Sequence, residues 1–517
     1  MLRARKRGVD LMSELWYKAG QYNPVDIEIK GSCCVENPYY ADVTGSFQGP
    51  CGKSISVPGF YDGDGIWKVR FSPLSTGLWK YTISSPHILI EQPYGYIQCI
   101  ENENVNIHGG LEINPENPYH FEYEDGTKYF LLGYECNWLW ALGFDDKNVQ
   151  KVKEFIKQIK SYSFNHIFIN LYAHDTSWCN GVTSIKDYGP PKHYLWEGTN
   201  ENPEFGYLNM AFFRNLDRVV KCLMEEGIIA HLYFKAYNKK VNWPLKYSVE
   251  EELYFKYIAS RYQAFSNIVW DFSKEAFHET DKEYIKSRIN LVKECDAYHR
   301  LFTIHDDRYY SSNEKYNESI DFITLQQHSD FYTSILLERQ KRKWPVLNAE
   351  FGYEPGPLGS DDLTYQVGHS PEEIIRRAYH IVMAGGYPGY YYTYTAWDVI
   401  DYSYIPKGYA YLKILYDIFT SVNWWEFEPH PEVCCWHGKC LARLEKEYLA
   451  YFEANETCVL NLWTKNTKFK TIWINAFTGE KLDENLVKPK VHPDSPQLYI
   501  FRSPFDNAPG ILHILME

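Results

Sequence analysis

"NIVWDFSKEAFHET", Asn267–Thr280, is the stretch on which the fold turns. Ile268, Val269, Trp270 and Phe272 make a short apolar run of strand length, and the chain then becomes polar at once with Ser273, Lys274 and Glu275. Many strands end in charged loops, so one such ending says little. "PVLNAEFGYE", Pro345–Glu354, repeats the form: an apolar run that ends on a carboxylate, Glu350.

The alternation of short apolar runs with helical periodicity extends on both sides of these two stretches. "KYFLLGY" precedes "DDKNVQKVKEFIKQIKSY", whose Val149, Val152, Phe155, Ile156 and Ile159 share one helical face. "FNHIFINLYAHD", "IIAHLYFKAY", "RLFTIHDD", "DFITLQQHS" and "YPGYYYTYTAWD" are further strand candidates separated by helical segments. The helix "SPEEIIRRAYHIVMAGG" opens on a capping box, Ser370 and Glu373, and closes on Gly385 and Gly386. Eight strands are therefore expected, beginning near Tyr129, Asn165, Ile228, Asn267, Arg300, Asp321, Pro345 and Tyr387. They occupy about 290 residues, the size of a (β/α)8 barrel. A doubly wound sheet would want a glycine fingerprint after its first strand, and "LLGYECNWLWALG" is not one. Between strands five and six, "RYYSSNEKYNESI" is too short and polar for a full helix. After strand two, residues 175–207 form a long segment with Trp178, Tyr188, Tyr194 and Trp196, which reads as an active-site loop.

Outside this region the helices disappear. The first hundred residues alternate short strands such as "SISVPGF" and "IWKVRFSP" with turns such as "YDGDG", and strands without helices return after about Thr420. The expected fold is α/β: a (β/α)8 TIM barrel over 107–420, flanked by an N-terminal β-sandwich over 1–106 and a C-terminal β-sandwich over 421–517.

Composition narrows the function. The 517 residues are 45% hydrophobic and 23% charged, ordinary for a globular chain, but 17% aromatic, with 45 Tyr and 16 Trp. Flat rings suit sugar faces; β-rich cores use them as well. A net charge of −14 speaks against a nucleic-acid partner, since phosphate binding needs a basic surface. The twelve cysteines lack a framework spacing and read as thiols in a reducing compartment. "CCWHGKC", Cys434–Cys440, imitates a metal knuckle, but no second ligand cluster follows it. The basic start "MLRARKRGVDLMSELW" has no apolar run behind it, so no secretory signal is expected, and Met12 is a second candidate start. No run of ~18 apolar residues suggests a membrane span. A cytoplasmic protein is expected, with homo-oligomerisation left open.

Barrel enzymes gather function at the carboxyl ends of their strands. Those ends offer Asn137 and Trp138 after strand one, and Asn170, Tyr172 and His174 after strand two. Trp178 lies in the long loop; Lys235, His305 and Gln327 follow strands three, five and six; Tyr392 and Trp397 follow strand eight. All of these are candidate substrate-binding residues. Glu275 and Glu350 lie at the ends of strands four and seven, across the mouth of a barrel. Two carboxyls facing one cleft are what glycoside hydrolysis needs, one protonated to donate to the leaving oxygen and one ionised to attack or to activate water. Glu354 and Asp271 are the acidic alternatives, and Glu135 is a further carboxyl offered at the end of strand one. His166, His174, His231 and His305 are scattered without H-x-H or H-E-x-x-H spacing, so no metal or other cofactor is expected.

The chain also resembles a family. "SVPGFYDGDGIWKVRFSPLSTGLWKYTISS", Ser56–Ser85, "HGGLEINPENPYHFEYEDGTKYFLLGYECNW", His108–Trp138, and "WINAFTGEK", Trp473–Lys481, are similar to multidomain bacterial glycoside hydrolases of the GH-A type related to apiosidase-like barrels. The resemblance implies catalytic carboxylates after strands four and seven, which fall on Glu275 and Glu350. This chain has Lys274 where many GH-A enzymes have Asn, and "SKE", Ser273–Glu275, where apiosidase-like members have "GGD". The sugar therefore does not carry over. The expected activity is an exo-acting, retaining hydrolase of short plant-derived or microbial oligosaccharides, with a furanoside such as an arabinofuranoside or apioside as one substrate class. A carbohydrate-binding protein with a degenerate barrel and a metal-dependent hydrolase are the alternatives.

Overall fold

The structure, a computed structural model, describes residues 15–145, 148–174, 186–237, 239–307, 315–357, 368–462, 469–483, 490–492 and 495–516. The chain forms two compact units. One holds the chain up to Gly109 together with Tyr247–Ser266 and Leu291–His299; the other holds Gly110–Lys246, Asn267–Asn290 and Arg300–Glu517.

In the first unit, a five-stranded sheet runs in the order Leu15–Gly20, Tyr94–Ile100, Gly77–Ser84, Thr44–Gln48, Ser54–Pro58. A three-stranded sheet, Val25–Lys30, Ile66–Phe71 and Phe60–Tyr61, shares its core. Phe47 of one sheet stacks on Phe71 of the other, ring centroids 3.8 Å apart, with Trp79 beside them. The alternating pattern of Gly77–Ser84, in which Trp79, Tyr81 and Ile83 are buried, is what a sheet with one wet face requires. The helix Val249–Tyr262 belongs to this unit as well: buried Arg261 pairs with Asp62 at 2.8 Å, and Tyr257 donates to the Tyr61 carbonyl.

The second unit is mixed α/β and centres on a nearly closed ring of nine parallel strands. From one end the order is Phe302–Thr303, Ile268–Lys274, Ile229–Ala236, His166–Asn170, Gly133–Glu135, Tyr387–Tyr392, Val346–Asn348, Ile323–Leu325 and His305–Asp307. The two ends of this path are separated only by Ile304, so the gap lies inside the fifth segment of the alternation. Strands eight and one pair at Gly389 and Gly133. On its other side, a Cβ on Gly389 would lie 2.6 Å from the carbonyl oxygen of Ala349, just after strand seven, so the close approach there excludes any larger residue. The strands are buried on both faces, which explains their unbroken apolar runs.

The helices follow the periodicity. Gln150–Lys160 buries Val152, Phe155, Ile156 and Ile159 completely. Pro371–Met383 starts at Ser370, whose side chain accepts from the Glu373 amide at 3.2 Å. One strand departs from expectation. "KYFLLGY" is not a single strand: Lys128–Tyr129 pairs antiparallel with Phe121–Tyr123, and the ring strand begins only at Gly133. Asn165 causes the split. Its side chain accepts from the Leu132 amide at 2.9 Å and donates to the Phe130 carbonyl at 2.8 Å, holding a bend between the two halves.

Downstream of the ring, a six-stranded sheet and the three-stranded sheet Thr457–Asn461, Ser495–Arg502, Lys490–His492 enclose a core around Trp473, Phe452 and Phe501. Among the described residues no helix is long and apolar enough to cross a membrane.

Candidate active site

Strand four, Ile268–Lys274, is buried along its whole length. Its last residue, Lys274, therefore delivers an ammonium into a dry site, where an unpaired charge costs several kcal/mol. The charge is paired twice. Nζ donates to Glu350 Oε2 at 2.8 Å and to Glu135 Oε1 at 3.2 Å. Glu350 comes from just after strand seven and Glu135 from the end of strand one, so three strands meet on one nitrogen. The Tyr353 hydroxyl donates to the other oxygen of Glu350. Asn137 donates to Glu135 Oε2 at 2.6 Å, and Asn170 in turn donates to Asn137 at 3.1 Å. The rings of Tyr233, Tyr391 and Trp397 lie 5.6 to 5.8 Å from Nζ.

Glu275 follows Lys274 directly. Its backbone is left-handed, φ 56° and ψ 46°, a conformation that costs a β-carbon-bearing residue about 1–3 kcal/mol and persists only where surrounding structure imposes it. The reversal turns Glu275 away from the direction of the strand. Its carboxyl is half-buried and 3.3 Å from His278 Nε2.

The two carboxyls are pushed in opposite directions. Burial works to raise Glu350, but the charge of Lys274, with His328 behind it, outweighs that and holds the group down at about 2. Burial and then the negative charge of Glu350 raise Glu275 above the usual carboxylate range, and Lys274 only partly offsets them. Glu350 is thus held ionised, while Glu275 keeps its proton to a higher pH than a free carboxyl. Glu135 is raised to about 7, first by burial and then by the Glu350 charge, with Lys274 opposing.

Of the other expected residues, Asn137 and Asn170 join this cluster. Trp138 is buried and stacks on Trp140, which stacks on Tyr172. Trp138 Nε1, the Tyr172 hydroxyl and Asn170 Oδ1 are buried and make no hydrogen bond within the described residues. His305 is buried: Nδ1 faces the Tyr233 hydroxyl at 3.1 Å, Nε2 faces Gln326 at 3.2 Å, and burial holds the ring neutral. Trp397 lies under the Lys239 ammonium at 4.0 Å and donates to the Tyr391 hydroxyl. Lys235 is placed against Tyr284 and Trp243. His174 stacks on Tyr194, and Gln327 is tied through its backbone to Asn348. Tyr392 packs on Tyr394 and Tyr409 of the helix Lys407–Thr420, while its neighbour Tyr391 faces Lys274. Trp178 lies outside the described residues.

The acidic alternatives have other partners. Glu354 accepts from the Tyr390 hydroxyl at 2.7 Å and from the Gly408 amide at 3.2 Å, which ties strand eight to the last helix. Asp271 is buried and binds the amides of Ser273 and His305 and the ring of His231. Lys274, Tyr353 and Tyr391 are the members of the cluster that strand-end reading did not single out; Glu135 it offered at the end of strand one, without a role. Among the described residues, no group of three or more His, Cys, Asp or Glu side chains is placed to hold a metal ion.

Residues 115–425 match the family of apiosidase-like catalytic domains, and residues 18–86 match a domain of unknown function, DUF5060. No curated protein matches the chain. Among solved structures, a Bacteroides vulgatus chain provisionally assigned as a glycoside hydrolase superposes with a TM-score of 0.79 at 19% identity, covering 97% of this chain and 100% of that one. A glycoside hydrolase family 5 structure from the same organism superposes with a TM-score of 0.59 at 16% identity, over 79% of this chain and 94% of that one. Likeness at such identities speaks for a shared fold. The family match is of a different kind, because it spans more than half the chain and contains both carboxyls and the lysine between strands four and seven. The chain belongs to the apiosidase-like family and is a glycosidase.

Proposed function

We propose that this glycosidase is a (β/α)8 TIM-barrel enzyme carrying N- and C-terminal β-sandwiches, exo-acting and retaining, that removes a terminal sugar from short oligosaccharides by double displacement. Glu350 attacks the anomeric carbon and Glu275 protonates the leaving oxygen. Glu275 then takes a proton from the water that opens the glycosyl-enzyme. The observation that carries this reading is the opposite bias of the two carboxyls, with Lys274 holding Glu350 ionised and burial raising the proton affinity of Glu275. Paired carboxyls with separated pKa values are the signature of acid and nucleophile roles.

The orphaned Trp138, Tyr172 and Asn170 groups support a polar ligand at the ends of strands one and two. Buried groups of this kind cost about 1–3 kcal/mol each unless something bonds them, and sugar hydroxyls can do so. The family name supports a furanoside such as an apioside or arabinofuranoside as one substrate class, from plant-derived or microbial material. A cytoplasmic site of action fits the exo reading, because short oligosaccharides are what would reach it. Hydrolysis of a panel of nitrophenyl pyranosides and furanosides tests the reading. Release from at least one terminal glycoside supports it; release only from internal linkages of a polymer would overturn the exo assignment.

A further inference from the structure

The cluster contains one carboxyl more than double displacement needs. Glu135 shares the Lys274 ammonium with Glu350, at 3.2 and 2.8 Å, and all three side chains are buried. Charge balance then becomes the question. One ammonium and one carboxylate are neutral together; a second carboxylate makes the group a net anion in a site walled by Tyr233, Tyr391 and Trp397. Burial of unbalanced charge is costly, so the resting site favours a proton on Glu135.

The reading of Glu350 as the nucleophile, on which this inference rests, changes that balance during turnover. A lone pair of Glu350 forms a bond to the anomeric carbon. The bond from that carbon to the leaving oxygen breaks, its electron pair stays on that oxygen, and the oxygen takes the proton of Glu275. Glu350 is now a neutral ester, the negative charge has moved to Glu275 beside His278, and Lys274 has lost the carboxylate that accepted its hydrogen bond. Among the groups in contact with Lys274, Glu135 is the carboxyl left to replace it.

We propose that Glu135 is a reserve counter-ion for Lys274, carrying a proton while Glu350 is ionised and losing it to solvent when Glu350 is esterified. Hydrolysis reverses the exchange: water bonds to the anomeric carbon, its proton goes to Glu275, the ester electron pair returns to Glu350, and Glu135 takes a proton back. Glu135 is thus a positioning residue. It acts through Lys274 and keeps the ammonium in place for both halves of the cycle. Asn137, donating to Glu135 Oε2, holds the carboxyl toward Lys274. The groups whose charge Glu135 shares are Lys274 from strand four, Glu350 from after strand seven, Tyr233 from strand three, Tyr391 from strand eight, and Tyr353 and Cys136 nearby.

The experiment needs no substrate. Carbon-13 NMR of the full chain labelled at glutamate carboxyls follows the signal that disappears in Glu135→Gln. In the native chain it should titrate near neutral pH. In Glu350→Gln, where the amide imitates the uncharged ester, its midpoint should fall by at least about one pH unit, a tenfold change in proton affinity. Lys274→Met should move it the other way. A midpoint unchanged by Glu350→Gln, or an ordinary carboxylate midpoint in the native chain, overturns the reserve role and leaves the glycosidase assignment standing. A first product of inverted configuration instead overturns the double displacement, and with it the ester that the reserve would serve.

Discussion

Glu350 and Glu275 carry the account at the scale of single residues. Glu350→Gln and Glu275→Gln should each lower kcat by ~10²–10⁴, with unchanged circular dichroism, the usual size of lost nucleophilic or acid–base help. Full activity in Glu350→Gln would contradict the assignment. The sign of the pH dependence follows from the directions of the two shifts. Under the proposed double displacement, activity requires Glu350 ionised and Glu275 protonated, so the acid limb should lie below the usual carboxylate range and the alkaline limb above it. The alkaline limb should vanish in Glu275→Gln when measured with an activated aryl glycoside, because that variant has no proton to lose. Asp271 offers a separate test. The Tyr129 hydroxyl lies 2.9 Å from the Asn165 carbonyl and 3.3 Å from His166 Nδ1. If its proton goes to the closer acceptor, His166 Nδ1 donates to Tyr129, His166 Nε2 accepts from His231 Nδ1, and His231 Nε2 must accept from Asp271. Asp271 is then a neutral acid, the direction in which burial pushes it. Asp271→Asn reproduces every one of those bonds and should cost less than about 1 kcal/mol in chemical denaturation, whereas Asp271→Leu should cost about 2 kcal/mol or more by orphaning its partners. A large loss in Asp271→Asn would mean that the group is a carboxylate. Glu275 and Glu350 were legible because an apolar run that stops at a carboxylate is a local pattern. The Glu135–Lys274–Glu350 cluster was not, because its members come from three strands that only ring closure brings together. Tyr391 was missed for another reason: in "YYYTY", Tyr390–Tyr394, every position has nearly the same side chain, so alternation leaves no trace that separates inward from outward.

Elements were legible where periodicity was long and interrupted only by capping or turn residues. The helices Gln150–Lys160 and Pro371–Met383 fall where their patterns put them. The first strand did not, because "KYFLLGY" is apolar on both sides of a bend whose cause, the side chain of Asn165, is more than thirty residues away. Asn165→Ala should therefore destabilise the chain by about 1–3 kcal/mol, read as a lower denaturation midpoint, since two buried backbone groups lose their partner. The hairpin Trp196–Gly198 with Pro203–Leu208 decides how to read the long segment after strand two. Trp196 is buried there, edge-on to Phe205 at 5.1 Å and to Trp243 at 5.7 Å. This is packing, so Trp196→Ala should cost about 3–5 kcal/mol of stability while the surviving enzyme keeps its KM. A raised KM at unchanged stability would instead place the ring on the sugar.

For the molecule as a whole, the βα alternation and the helix-free flanks announced a mixed α/β chain, and the ring of parallel strands is what that alternation builds. The helix Val249–Tyr262 was beyond such reading. Its periodicity marks a helix of the alternation, yet the helix clusters with the N-terminal sheets, through Arg261 and Asp62 among others, pairs that are distant in sequence. The aromatic content also left two readings open; the structure shows rings packed in the cores around Trp79 and Trp473 and other rings set around the Lys274 ammonium. Double displacement through Glu350, as proposed, fixes the stereochemistry of the product. Proton NMR of the reaction with a nitrophenyl glycoside that the chain cleaves, recorded before the released sugar can mutarotate, should show a first-formed sugar with the same anomeric configuration as the substrate; a first product of opposite configuration would exclude double displacement.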